Sequence, residues 1–172
     1  MPAKKSFSEI TSKLTSPTTF SCSGINKTIF PSENILYKES DSYGNPTYVI
    51  HDDISSTVYI WGYGGQFLIA EIKNATYDQV KSALGVTPES LSSAASPNTK
   101  LINGLRTNAN LTDALVTTYT HKPLVGMLTA TDPRGVTTYY DYDAFGRLKE
   151  TYIIENGVKK IIQVNEYHYQ NQ

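Results

Sequence analysis

From Ile35 onward, apolar and polar residues alternate in short runs, and most runs stop at a turn carrying glycine, asparagine or proline. The runs 35–37, 47–50, 57–61 and 67–72 carry the two-residue period of half-buried strands. Gly62-Tyr63-Gly64-Gly65 joins the last two. Its glycines accept positive φ, so 57–72 reads as a hairpin. The pattern returns after Leu115, with strands expected over 116–120, 125–131, 136–142, 148–154 and 158–169. The connections between them are Lys122-Pro123, Asp132-Pro133-Arg134-Gly135, Ala144-Phe145-Gly146 and Asn156-Gly157. Links this short favour antiparallel neighbours, so the last third reads as a meander.

Between the two strand-rich stretches the period lengthens to that of a helix. Thr76 followed by Gln79 is a capping-box signal, Tyr77, Val80, Ala83 and Leu84 share one face, and Gly85 supplies a stop. Thr87-Pro88-Glu89 is a second start, for a helix carrying Leu91 and Ala94-Ala95 and ended by Ser96-Pro97. A third start at Ser96-Pro97 or Asn98 places Leu101, Ile102 and Leu105 in one stripe, broken over 107–110. Near the beginning, Phe7, Ile10 and Leu14 fall at helical spacing, so a short helix is expected over 6–14.

The expected organisation has four parts. Residues 1–33 are a Ser/Thr-rich segment, weakly structured or packed on the sheet. Residues 34–74 are β-hairpins, 75–110 a helical insertion, and 111–172 a β-meander. The fold class is mainly β (α+β): antiparallel hairpins and a meander forming one extended sheet, with a small helical insertion.

Composition agrees. The chain has 172 residues, enough to bury about 70% of its unfolded surface without a metal or disulfide staple. It holds 13 Tyr against 5 Phe and 1 Trp, a mixture suited to pleated surfaces and not to a helical bundle, a coiled coil or a disordered tail. A net charge of −1 with 18% charged residues gives no reason to expect nucleic-acid or acidic-membrane binding. Cys22 is the only cysteine, which excludes an intrachain disulfide and a cysteine-based zinc site. Met1 to Ser6 lacks an apolar stretch after its lysines, so no secretory signal is expected in this chain, and no run reaches the length of a membrane span.

The turns repeat. Asp41-Ser42-Tyr43-Gly44-Asn45-Pro46 aligns with Asp143-Ala144-Phe145-Gly146-Arg147-Leu148. Tyr59-Ile60-Trp61-Gly62-Tyr63-Gly64-Gly65-Gln66-Phe67 aligns without gaps with the nine residues from Tyr140 to Leu148, and Tyr167-His168-Tyr169 adds a further Tyr-x-Tyr. Aromatics two apart lie on one face of a strand, where they stack on neighbouring strands. The structural turn residues of this unit are Asp41, Gly44, Gly65, Asp143, Gly146 and Arg147.

The stretch Asp132 to Leu148, with Gly, several residues, then Tyr140-Asp141-Tyr142-Asp143-Ala144-Phe145-Gly146-Arg147, resembles the YD repeat of Rhs-type proteins. The match is specific over 132–148 and fair over 35–72. The block Gly62 to Thr76 is similar to YD-repeat proteins of gut Bacteroidetes. The resemblance implies YD-like hairpins over 34–74, a YD-repeat meander over 111–172, and a part of a larger exported or cell-surface protein. It departs from the pattern where Trp61-Gly62 replaces Tyr-Asp and where the array is interrupted after Ile72. By this resemblance the chain is a non-catalytic structural or interaction module, located outside the cell or on its surface. Its partners are other repeats of a longer chain, or further copies joined through sheet edges.

Three alternatives in chemistry stand beside it. Trp61, Tyr63, Tyr140 and Tyr142 form a candidate platform for stacking sugar rings, which makes glycans the alternative ligand. His51-Asp52-Asp53 reads as a metal or acid–base cluster or as a polar turn. Asp132-Pro133-Arg134-Gly135 reads as a self-processing segment or as a type I turn. His121 and His168 lack metal-ligand spacing, while Asp141 and Asp143 share a strand face or, for Asp143, cap a turn. No catalytic residue, metal site or cofactor is expected.

Overall fold

The computed structural model describes residues 18–22, 25–29, 35–52 and 54–167. The helix expected over 6–14, Asp53 and His168 lie outside them. Thr18–Cys22 (β1) and Ile25–Ile29 (β2) pair as an antiparallel hairpin. The remaining described strands form one nine-stranded antiparallel sheet in strict chain order. They are Ile35–Ser40 (β3), Pro46–His51 (β4), Ser55–Gly62 (β5), Phe67–Lys73 (β6), Leu115–Lys122 (β7), Gly126–Thr131 (β8), Thr137–Tyr142 (β9), Leu148–Glu155 (β10) and Val158–Val164 (β11). Short turns explain the order, because they leave a strand no neighbour to reach except the previous one. The last strand ends at Val164, short of the expected 169, although Asn165 N–H still donates to the Lys149 carbonyl at 2.8 Å.

One connection is long. Between β6 and β7 the chain forms Tyr77–Leu84 (α1), a 3-10 turn over Pro88–Leu91, Thr99–Gly104 (α2), and 3-10 turns over Leu105–Thr107 and Ala109–Leu111. The capping box forms as expected. Gln79 N–H donates to Thr76 Oγ1, Thr76 N–H donates to Gln79 Oε1, and Gly85 ends α1 at φ 73°. The second expected helix does not form beyond Leu91. Ser90 Oγ turns back to the Thr87 carbonyl, and Ser92 N–H bonds Glu89 at 3-10 spacing, so local side-chain bonds compete with helix growth. Despite the insertion, β6 and β7 stay paired, with Ala70 opposite Thr118 and Ile72 opposite Val116.

The insertion covers one sheet face. Val58 lies opposite Ile72 and Ile60 opposite Ala70, so these side chains share a face with Val116. They pack with Val80, Leu84, Ile102, Leu105 and Leu111 of the insertion as the hydrophobic core. Each fully buried aliphatic side chain here contributes about 1.5–3 kcal/mol of transfer free energy, before chain entropy is subtracted. The opposite face carries Tyr59, Glu71, Tyr119 and Tyr140, all half-buried and without a covering element among the described residues. Both outer strands, β3 and β11, are exposed along their whole length.

Candidate functional site

Three turns of the sheet are built alike. In each, an aspartate donates its own N–H to the carbonyl four residues on and accepts at its carbonyl the N–H of a left-handed glycine three residues on. Asp41, Asp132 and Asp143 make these pairs at 2.9–3.0 Å, with Gly44, Gly135 and Gly146 at φ 85°, 86° and 76°. Each carboxylate then caps the loop. Asp41 Oδ1 accepts from Tyr43 and Asn45 N–H, and Asp143 Oδ1 from Phe145 and Arg147 N–H. Asp132 Oδ1 accepts from Val136 N–H at 2.8 Å. The outer oxygens bind Asn45 Nδ2, Arg147 Nε and Arg134 Nε respectively. The Arg147 guanidinium holds the Asp143 carboxyl below its ordinary range, and the Val136 N–H does the same for Asp132. Asp132-Pro133-Arg134-Gly135 is thus a third copy of the repeat turn, which the alignment of Asp41 with Asp143 alone does not reveal.

A fourth turn, Gly62 to Gln66, lacks the aspartate for a steric reason. A Cβ on Gly62 would lie 2.7 Å from Pro97 Cγ of the insertion, so no carboxylate side chain fits there. Gly65 N–H is drawn to the Ser92 carbonyl at 2.8 Å, and Gln66 N–H closes the loop on Gly62. The departure of Trp61-Gly62 from Tyr-Asp therefore follows from the covering segment.

Tyrosines tie together the turns at one end of the sheet, that of Asp41, Gly62 and Asp143; the Asp132 turn, which joins β8 to β9, lies at the other end. The Tyr43 ring lies over Gly65, where a Cβ would be 2.5 Å from the ring, and Asn45 Nδ2 donates to the Gly65 carbonyl at 2.8 Å. Tyr63 Oη accepts the His121 N–H at 3.1 Å, with the ring edge-on to Phe67 and His121. Tyr142 Oη donates to the Met127 carbonyl at 2.8 Å across Gly126. Tyr167 Oη donates to the Leu148 carbonyl at 2.9 Å, and the Arg147 guanidinium lies 4.2 Å over its ring. Each hairpin is held to the next by an aromatic hydroxyl on main chain or by a ring on glycine.

The candidate sugar-stacking residues are distributed through this scaffold. Trp61 Nε1 donates to the Pro46 carbonyl at 2.8 Å on β4. Tyr63 packs against the core beside His121 on the covered side. Tyr140 and Tyr142 belong to β9, four strand spacings or about 19 Å from β5. His51 and Asp52 form the tight β4–β5 turn, with Ile54 N–H on the His51 carbonyl. The His121 ring stacks on Phe67 at 4.7 Å, and burial lowers its pKa. Asp141 faces Lys159 on the sheet surface while the Asp143 carboxylate turns inward to its loop, so the two do not act as a pair.

Two polar anchors are not visible in the sequence pattern. Glu89 Oε1 accepts from Thr47 Oγ1 at 2.5 Å and Oε2 from Tyr77 Oη at 2.7 Å, joining the insertion to β4. Burial of Glu89 opposes ionisation, but these hydrogen bonds outweigh it and hold its pKa below the usual value. Arg106 donates to the carbonyls of Val116, Thr131 and Asp132 and to Thr118 Oγ1, fastening the insertion across β7 and β8. A lone arginine following the Leu101–Ile102–Leu105 stripe is its only signal. Among the described residues no three His, Cys, Asp or Glu side chains converge to hold an ion, and no helix is long and apolar enough to cross a membrane.

No curated protein matches the chain. The family model described as RHS Repeat matches residues 124–157, from the turn before β8 to the turn after β10. That span contains two of the three aspartate turns, the Tyr142 latch and the Tyr-Asp-Tyr-Asp core. Over this segment the chain is similar to the RHS repeat.

Proposed function

We propose that the chain is a non-catalytic structural module of a larger Rhs/YD-repeat protein displayed outside the cell or on its surface. The observation that carries this reading is the series of latched turns. Asp41, Asp132 and Asp143, the acidic residues of the repeat, are engaged in capping their own loops. The hydroxyls of Tyr63, Tyr142 and Tyr167 are engaged in joining hairpins. Such a scaffold grows by adding hairpins, because each unit leaves a strand edge for the next. The glycan alternative has weaker support, since Trp61 lies four strands from Tyr140 and Tyr142, and Trp61 Nε1 and Tyr142 Oη already bond main-chain carbonyls.

An antibody raised against the 172-residue chain, used on intact and lysed cells of the source organism, tests the proposal. Surface staining, with an immunoblot band much larger than 19.1 kDa, is the expected result. A cytosolic band at the mass of the chain itself would overturn it.

A further inference from the structure

We infer that the tips of two neighbouring turns, carrying Leu124 and Phe145, seat this module on an anionic lipid surface. Lys122-Pro123-Leu124-Val125 joins β7 to β8, and Val125 N–H donates to the Lys122 carbonyl at 3.0 Å. Leu124 takes φ 66°, at the place in such a turn where glycine is ordinarily found. Its side chain is fully exposed, so the strained backbone serves no packing within the fold. Strain kept without a packing role points to a contact outside the chain. Two strand spacings away, about 10 Å, the β9–β10 turn holds Phe145 77% exposed.

Charge and shape decide the partner. Lys122 and Lys149 are exposed beside the two tips, while the carboxylate of these turns, Asp143, is bonded to Arg147 at 2.6 Å. The net charge of −1 on the whole chain conceals this local excess of Lys122, Arg147 and Lys149 over Asp143. An anionic bilayer attracts such lysines and takes apolar side chains in between its headgroups. Leu124 and Phe145 stand on separate turns, so a protein partner finds little continuous area to complement, whereas a fluid surface admits each side chain singly. The turns are also prepared to leave water. Pro123 has no N–H, Val125 N–H is bonded to Lys122, and the N–H groups of Phe145, Gly146 and Arg147 are bonded to Asp143. Unsatisfied main-chain donors are what an apolar medium penalises most. At the opposite end of the sheet Ile54 is 89% exposed, but it stands near the exposed Asp52, and its turn, 51–55, has no lysine or arginine. Further hairpins of a longer chain add beside β3 or β11 and leave both tips in place, so the inference is separate from the array reading.

Co-sedimentation of the 172-residue chain with vesicles tests the proposal. Vesicles of mixed phosphatidylglycerol and phosphatidylcholine should bring the chain down, and vesicles of phosphatidylcholine alone should do so more weakly. Leu124→Gly and Phe145→Ser should each lower partitioning by roughly tenfold. Leu124→Gly also relieves the positive φ, so its urea midpoint should hold or rise, and its loss of binding then cannot come from unfolding. Lys122→Ser should weaken binding to the anionic vesicles and leave the weaker phosphatidylcholine binding unchanged. Ile54→Ser should bind as the parent chain does. No association with either vesicle, binding that survives Leu124→Gly combined with Phe145→Ser, or binding lost in Ile54→Ser would overturn the proposal. So would self-association in sedimentation velocity that Leu124→Gly abolishes while vesicles bind nothing, which would assign the tips to a protein contact.

Discussion

The hydroxyl of Tyr142 reaches back over Gly126 and donates to the Met127 carbonyl at 2.8 Å. The contact requires glycine below it. A Cβ at Gly126 would lie 2.5 Å from Tyr142 Oη, and Gly126 itself sits at φ 149°. One tyrosine thus fixes the register between two successive hairpins, with the neighbouring glycine as its counterpart.

Substitution should expose that pairing. Gly126→Ala combines a strained backbone with a displaced ring and should cost about 1–3 kcal/mol in urea unfolding. Tyr142→Phe removes only the hydrogen bond and should cost about 1 kcal/mol. If the two sites are coupled as the contact indicates, the double variant should lose less than the sum of the singles.

Arg106 is the second point of leverage. Arg106→Met keeps a long apolar stem but leaves the carbonyls of Val116, Thr131 and Asp132 and the Thr118 hydroxyl without their donor. The expected cost is about 1–3 kcal/mol, with hydrogen exchange rising first over 105–118 and 131–136. Arg106→Lys should recover little of it, because an ammonium cannot span the carbonyls of two strands as a planar guanidinium does.

Acid should weaken the fold in two stages. Burial holds His121 below its ordinary 6.5, so the unfolded chain binds that proton more readily than the folded one. Its contribution is whole above about pH 6.5 and is lost as pH falls through the depressed folded value. Asp132 and Asp143, held below 3.8 by the Val136 N–H and by Arg147, and Glu89, held below 4.5 by Thr47 and Tyr77 against the opposing effect of burial, act in the same sense. Their contribution is lost only further down, as pH drops through their folded values. Denaturant midpoints measured from pH 8 to pH 3 should show a plateau and then two falling stages. Replacing His121 by Phe should erase the upper stage alone, and stability that rose between pH 7 and pH 5 would contradict this assignment.

Much of this molecule is legible in its sequence because the relevant physics is local. Alternation at period two marks the strands from Ile35 on, the Thr76–Gln79 pair marks the start of α1, and Asp143 with Gly146 and Arg147 marks a self-capped turn. These features involve residues at most four apart, so adjacency in the chain is enough to reveal them. The 3-10 turn at Pro88–Leu91 shows where local reasoning gives two answers. Its helix-start residues are present, but Ser90 and Ser92 settle the competition in favour of a tighter turn.

Other properties rest on which strands become neighbours. The sequence alone determined that most of the tyrosines belong to strands and turns, with Tyr77 on a helix. Only the tertiary structure decided that Tyr43 meets Gly65, that Tyr63 meets His121 and that Tyr142 meets Gly126. It also decided that Arg106 spans β7 and β8, and that Gly62 stands in an aspartate position because Pro97 occupies the space. These are consequences of sheet register and of one insertion folding over one face. Both bring together residues 10 to 58 positions apart, as in Arg106–Val116 and His121–Tyr63, beyond the reach of any periodicity along the chain.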